Sequence, residues 1–433
     1  MEVPQAVSTS APKSRSRRTA FAAFTGTAME WYDFYLFGTA AALTFGTVYF
    51  PSEDPTAGAL SSFATFAVGF IARPLGAVIF GHIGDRVGRK RSLMITIWLM
   101  GIATTLVGFV PGYDTLGTSA AVILVTLRVI QGIAMGGEWS GASALITEQA
   151  PHGQRGFYAM LPQLGNPLGI LLGTLAFSIT SWLLNSDDFV TWGWRIPFLL
   201  ALPFMLVIVW LRRALNDLPI TREQITSVPL VDLLRAHKMP LFIAVGVAVL
   251  GVAGYYFTDT FVLGYATREL NISPTPLLNA GLIGSVLDTA LFFGWGLLAN
   301  RIGGARVGMI GAGATIILAL PVFGFVIGGT TFGVAFAIIA GSALVSISYA
   351  ASGEVLNGLF PAHIRQTAIG VAYNLAGVVA GVTPFLATFV MNISHGSAWW
   401  TASLLIGMAS ITFVSLAWSR RRIDHSAAER QIN

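Results

Sequence analysis

One short run limits the fold more than any other: Gly81-His82-Ile83-Gly84-Asp85-Arg86-Val87-Gly88-Arg89-Lys90-Arg91. Five of its side chains are ionised, yet each flank is an apolar stretch long enough to cross a bilayer, which takes about 20 residues. The run therefore reads as a tight turn at a membrane face. A weaker copy, Gly296-Leu297-Leu298-Ala299-Asn300-Arg301-Ile302-Gly303-Gly304-Ala305-Arg306, sets Asn300 215 positions after Asp85, about half of the 433-residue chain. A second motif repeats at nearly the same offset. Pro151-His152-Gly153-Gln154-Arg155 matches Pro361-Ala362-His363-Ile364-Arg365, 210 positions on. A duplicated set of helices is the plan these repeats impose.

Composition supports lipid as a solvent. The chain is 54% hydrophobic and 10% charged, against about 25% charged in soluble domains. Its apolar runs are long and continuous, unlike the short alternating strands of a membrane barrel. The expected fold is an all-α membrane protein, with twelve transmembrane helices in two pseudo-symmetric six-helix bundles. The segments read as a polar tail (1–19), a first bundle (20–214), a linker (215–238) broken by Pro219 and Pro229, a second bundle (239–419) and a polar tail (420–433). The first helix is expected over 20–49, the second over 57–81 and the third over 92–110. All but four of the 25 Lys and Arg residues fall in the tails, the linker and the even-to-odd loops; the exceptions are Arg73, Arg128, Arg195 and Arg268. The positive-inside rule then places both termini in the cytoplasm. No removable signal peptide is expected. The loop-by-loop alternation of basic residues argues against a nucleic-acid partner. The absence of cysteine and the scatter of six His residues give no metal spacing. No cofactor and no nucleophile–base set is called for.

Several ionisable residues fall inside the apolar runs, where each costs about 2.5–3.5 kcal/mol on the insertion scale. Arg128 lies near the middle of the fourth helix, with Gln131, Met135 and Glu138 following at roughly helical spacing. Asp33, midway along the first helix, is its expected partner. Glu30 and Glu138 are further buried acids able to exchange protons, as are Asp259 and Glu354 in the second half; Glu354 also reads as an interfacial residue. Arg73 lies 12 residues before Asp85 and Asp288 lies 12 before Asn300, so the duplication puts an arginine and an aspartate at equivalent depths. Arg73 suits a substrate carboxylate gripped by two hydrogen bonds, or else helix-end carbonyls. Gln163, Asn166 and Pro167 on the fifth helix, with Tyr373 and Asn374 at the matching part of the eleventh, read as a polar cavity wall or as helix–helix contacts. Trp31, Tyr32, Tyr35, Tyr255 and Tyr256 are candidate cavity aromatics. In the charged turn, Gly81 is expected to admit a neighbouring helix, Asp85 to face a helix N-terminus, and the basic residues to exchange acidic partners. A purely topogenic basic loop is the plainer reading.

The motif Gly81-x-x-x-Asp85-Arg86-x-Gly88-Arg89-Lys90 resembles the signature loop of the major facilitator superfamily, and Arg128-x-x-Gln131-Gly132 resembles its fourth-helix motif. Met29-Glu30-Trp31-Tyr32-Asp33-Phe34-Tyr35, Arg73-Pro74-Leu75-Gly76, Gly136-Gly137-Glu138 and Trp192-Gly193-Trp194-Arg195-Ile196-Pro197 narrow the resemblance to the metabolite:proton symporter family. Its members carry citrate, 2-oxoglutarate, shikimate, or proline and betaine. The resemblance covers nearly the whole chain; Asn300 and Gly304-Ala305 depart from the loop pattern in the second half. It implies a proton switch made by Asp33 and Arg128 and a gating role for Gly81, Asp85, Arg86, Gly88, Arg89 and Lys90. It implies proton-coupled uptake of a small polar metabolite, most of all an organic carboxylate, by a monomer in the bacterial inner membrane. The alternatives are symport of zwitterionic osmolytes, an efflux or uncoupled carrier of the same fold, and a non-transporting sensor.

Overall fold

The computed structural model describes residues 13–149, 155–213, 233, 235–361 and 364–432. Most of the linker and the Pro151-His152-Gly153-Gln154 copy of the second loop motif lie outside the described residues. No strand occurs among the described ones. The first half comprises α1 (Lys13–Leu43), α2 (Pro55–Val87), α3 (Arg89–Phe109), α4 (Thr118–Gln149), α5 (Arg155–Leu183) and α6 (Phe189–Arg213). The second comprises α7 (Lys238–Arg268), α8 (Pro274–Ile302), α9 (Gly304–Ile327), α10 (Thr331–Leu359), α11 (Arg365–Ile393) and α12 (Ala398–Ile432). Eleven of these stretches are long and apolar enough to cross a membrane. The twelfth, α1, has its apolar run interrupted by Glu30 and Asp33 and is enclosed by α5, α4, α2 and α6. Large apolar side chains such as Phe242, Ile317, Phe332 and Trp210 point outward, each at least 70% exposed, as a lipid-facing surface requires.

The first helix stops earlier than the apolar run suggests. At Thr44 the backbone leaves helical geometry (φ −134°, ψ −33°) and the hydroxyl donates to the Ala40 carbonyl. A separate short turn, Phe45–Val48, follows. The charged turn is also tighter than expected. Helix continues through Val87 and resumes at Arg89, so Gly88 alone, at φ 105°, makes the break. Its amide donates to the Gly84 carbonyl. Gly303, 215 positions later, does the same at φ 89° and donates to Ala299. The left-handed region is open to glycine at little cost, so these two glycines carry the duplication into the backbone itself.

The expectation for Gly81 is corrected: a methyl group built there would meet nothing within 4 Å. Close approach occurs along the α2–α4 crossing instead. There a methyl on Gly76 would strike the Ile133 carbonyl, one on Gly132 the Gly69 carbonyl, and one on Gly136 the Arg73 carbonyl. These glycines bring two backbones together and hold Arg73 and Arg128 at fixed separation. At the helix ends opposite Gly88, Arg195 Nη1 donates to the carbonyls of Gly108 (3.2 Å) and Val110 (2.5 Å), and the Tyr49 hydroxyl also donates to Val110 (2.9 Å). The Trp-Gly-Trp-Arg motif thus satisfies the open carbonyls of α3. Near Gly88, Lys90 Nζ donates to the Arg213 carbonyl at the end of α6 (3.0 Å).

Within each half the helices pack mainly with one another. The halves meet chiefly through α2 against α11 and α5 against α8. The duplication maps α2 onto α8 and α5 onto α11, so the two contacts are equivalents across one pseudo-two-fold axis. The π-turn Tyr256–Phe261 in α7 also reaches α1 and α11.

Candidate functional site

Asp33 and Arg128 meet in the core of the first half. Both side chains are fully buried, with Arg128 Nη1 3.3 Å from Asp33 Oδ2. Asp33 Oδ1 also accepts from Gln131 Nε2 (2.5 Å) and from the Thr104 hydroxyl, so α1, α3 and α4 converge on one carboxylate. Arg128 Nε points to the Phe66 carbonyl at 3.5 Å, and Nη2 has no hydrogen-bond partner among the described residues. Rings enclose the guanidinium instead: Phe34, Phe37, Phe66 and Phe70 have centroids 4.1, 4.3, 5.1 and 6.0 Å away. Cation–π attraction, about 2 kcal/mol or more when desolvated, offsets part of what burial costs this charge. Sequence reading missed Thr104 and the ring cage. The signal for the cage was present: Phe34 and Phe37 follow Asp33 within one helical turn, and Phe63, Phe66 and Phe70 recur every three or four positions along one face of α2.

A second ion pair lies three residues away along α1. Arg73 Nη2 is 2.6 Å from Glu30 Oε1, with both side chains buried. Its guanidinium lies 4.9 Å from the Phe34 ring and 5.1 Å from Phe70, so the two arginines share two rings. Arg73 also faces the other half. A methyl group on Gly377 of α11 would lie 2.8 Å from Arg73 Nη1. From α7, Tyr256 sets its ring edge-on to Phe66 and Phe70 (5.1 and 5.5 Å). Trp31 meets Tyr349 of α10 at 6.5 Å. The second ion pair therefore lies where the halves touch, and the first lies behind it.

Comparison with known proteins decides what this arrangement belongs to. A family model described as sugar (and other) transporter matches residues 19–220. The shikimate transporter of Escherichia coli (strain K12) is 37% identical over 395 residues, covering 89% of this chain and 90% of that protein. The chain belongs to the metabolite:proton symporter family of the major facilitator superfamily. The proline/betaine transporter of the same organism is 32% identical over 397 residues, covering 88% of this chain and 78% of that one. In fold, the chain matches the crystal structure of a D-xylose-proton symporter with a TM-score of 0.72 at 19% identity, over 92% of this chain and 97% of that one. It is a multi-pass inner-membrane transporter of small molecules and not an enzyme.

The other expected site residues of this symporter-family member fall into four groups. Within the packed helices are Tyr35, Asn166, Asp288 and Tyr373, of which Tyr35 faces the other half. A methyl on Gly281 of α8 would lie 3.4 Å from the Tyr35 hydroxyl. Asn166 is buried with no partner for Nδ2 among the described residues, and Tyr373 shares a 3.1 Å hydrogen bond with Ser352. Committed elsewhere are Tyr32 and Asn374. The Tyr32 hydroxyl donates to the Pro197 carbonyl of α6 (2.6 Å), and Asn374 Nδ2 donates to Gly370 within its own helix (3.0 Å). Glu354 is exposed, beside Gly304 at the start of α9. The side chains of Asp85, Arg89, Glu138 and Gln163 lie outside the described ones. Arg86 is exposed.

Proposed function

We propose that this carrier drives uptake of a small organic carboxylate with protons, by rocking its two bundles about the α2–α11 and α5–α8 contacts. The observation that carries this reading is the Asp33 network. A carboxylate with no solvent exposure is held by three side chains from two other helices. Protonating it removes the charge that compensates Arg128, so one proton changes the packing of α1, α3 and α4 together. Asp33 and Arg128 take the proton-switch role, with Glu30 and Glu138 as secondary acids. Arg73 takes the substrate carboxylate by exchanging Glu30 for it. Asn166, Tyr35, Tyr256, Asp288 and Tyr373 line the remainder of the site. Both termini face the cytoplasm, on the distribution of basic loops, and a monomer suffices because one chain supplies both halves of the proposed site.

The driving force has a definite form. One proton supplies about 2.3 kcal/mol per 100 mV, roughly 50-fold accumulation of a neutral solute. For a monoanion moving with one proton the electrical terms cancel and the pH gradient must act. Similarity to the shikimate transporter favours a carboxylate bearing hydroxyl groups. Similarity to the proline/betaine transporter supports zwitterions as the second reading.

The test is uptake by purified protein in proteoliposomes, screened over shikimate, mono-, di- and tricarboxylates, proline and betaine. A hit should accumulate under an imposed pH gradient, and Asp33→Asn should abolish accumulation while retaining downhill exchange. Accumulation that survives collapse of the proton gradient would refute the reading, and uptake of zwitterions alone would refute the carboxylate.

A further inference from the structure

Arg195 and Arg268 are the basic residues at the end of the bundles remote from the basic loops, the outer end by the positive-inside rule. Arg195 is spent inside its own half, on the carbonyls that end α3. Arg268, the last residue of α7, reaches across. Its Nη1 donates to the Ala42 carbonyl (3.0 Å), one of those that the end of α1 leaves open. Gly264, one turn earlier, makes room for it: a methyl there would lie 2.8 Å from Nη1. The guanidinium lies 5.7 Å from the Phe63 ring, and among the described residues no acid forms an ion pair with it. An arginine has five N–H groups; the one described bond of Arg268 goes to a neutral oxygen.

Open space adjoins this cation. Arg268 and Asp54 line two recesses, of about 480 and 300 Å³, each with residues of both halves. The larger also receives Thr56 of α2, Glu269, and Thr388 and Asn392 of α11. Depth sets it apart from the ion pair at Arg73. Ala42 follows Glu30 by 12 positions, about 18 Å along α1. Over that distance α1 rests on α7. A methyl on Gly264 would lie 3.3 Å from Ala42, and one on Gly38 would lie 3.2 Å from the Thr260 hydroxyl. No solute passes between these helices until they part, and Arg268 ties them.

We propose that the larger recess is an outer capture site for a small hydroxy monocarboxylate, held by Arg268, and that the captured carboxylate releases the tie to Ala42. A carboxylate takes a guanidinium through two parallel N–H···O bonds, which a lone carbonyl cannot match. Asp54 and Glu269 set the rest of the chemistry. Both are exposed, and Asp54 Oδ1 already accepts from the Thr56 amide (2.9 Å). One cation beside two acids accommodates one carboxylate and repels a second or third. The same acids accept from hydroxyl groups, and Thr388 and Asn392 add neutral partners. That the captured acid is also the transported one rests on the symport reading; the recess does not.

The test labels Thr260→Cys with a membrane-impermeant maleimide in proteoliposomes of the full chain, which has no other cysteine. Thr260 is buried below the tie and does not line the recess. Glu30→Gln with Arg73→Gln serves as background, because it removes the inner carboxylate site and orphans neither charge. Shikimate should speed labelling severalfold. Arg268→Gln should raise the rate without shikimate and abolish the response. Trp182→Phe, which cuts a second bond between the halves, to Asn279 (2.8 Å), should raise the rate and keep the response. Citrate should act only once Asp54→Asn and Glu269→Gln are added. Calorimetry with Glu30 and Arg73 intact gives an independent measure: two shikimate sites are expected, and one in Arg268→Gln. No response to shikimate, a response that survives Arg268→Gln or is matched by chloride, or a site count that Arg268→Gln leaves unchanged would overturn the capture site. A response to citrate with both acids present would overturn the monocarboxylate. If labelling responds but the unaltered protein accumulates no carboxylate, the symport reading fails and the recess stands. Proton-driven uptake with no labelling response would mean the reverse.

Discussion

The sharpest consequence of the Asp33 network concerns stability. In Asp33→Asn the new amide carbonyl can still accept from Thr104 and Gln131, so the change removes a charge and little shape. Arg128 is then a buried guanidinium whose remaining contacts are a 3.4 Å approach to Gln131, the distant Phe66 carbonyl and the four rings. Removing one partner of a buried pair costs about 3–5 kcal/mol. Both partners are fully buried, so solvent screening brings no discount. The ring cage survives the substitution and favours the lower end, about 3 kcal/mol, or roughly 150-fold in the folding equilibrium. Arg128→Gln should cost a similar amount by orphaning Asp33. The double variant removes both charges and should recover most of the loss. Unfolding of the purified proteins in mixed detergent gives the three values and hence the coupling energy. Asp33→Asn within about 1 kcal/mol of wild type at alkaline pH, where solvent screening cannot explain a small effect, would refute the argument. A double variant no better than its worse parent would refute it too.

Three other substitutions probe separate parts of the structure. Gly81→Ala should stabilise by about 0.5–1 kcal/mol, since it replaces a helical glycine facing open space, whereas Gly88→Ala should cost about 1–3 kcal/mol for its strained backbone; thermal shift that orders them the other way would contradict the turn geometry. Arg268 Nη1 donates to the Ala42 carbonyl across the halves (3.0 Å) and lines a recess of about 480 Å³ with Thr388 and Asn392. Because the chain has no cysteine, Thr388→Cys gives a single label site, and Arg268→Gln should speed its modification severalfold; an unchanged rate would show that this bond holds nothing shut. Phe34→Leu, which removes a ring shared by both arginines, should reduce accumulation more than downhill exchange, and equal losses in both would count against a link between the ion pairs.

Much of the plan was legible because burial in lipid leaves few options for charge. Asp33 and Arg128 could be paired from helix positions alone, and the 215-residue repeat anticipated the equivalence of Gly88 and Gly303. Other features depend on three-dimensional approach and leave no mark on spacing. Gly81, Gly76 and Gly132 look alike as letters, yet only the last two face another backbone. Tyr32 and Tyr35 are neighbours in a polar stretch, but one hydroxyl turns to Pro197 inside its own half and the other faces α8. Glu30 was legible as a buried acid and Arg73 as a buried base. Their pairing was not, because 43 residues and a helix crossing separate them.

Why one proton at Asp33 should matter to a substrate held between the halves follows from the order of the layers. The buried acids described in the first half are each balanced in an ion pair, so that bundle has little electrostatic reason to distort as it moves. The contact that must slide is α2 on α11, where Phe70 and Arg73 seat against Gly381 and Gly377. Asp33 is one layer back from that surface, and the layer between is aromatic: Phe34 and Phe70 lie against both guanidiniums. When Asp33 gains a proton, Arg128 loses its strongest partner and leans further on these rings. Close-packed interiors repack between discrete arrangements and do not deform continuously, so a ring that follows Arg128 must vacate its place beside Arg73. The side chain proposed to meet the substrate is therefore the first one beyond the proposed proton switch to be released.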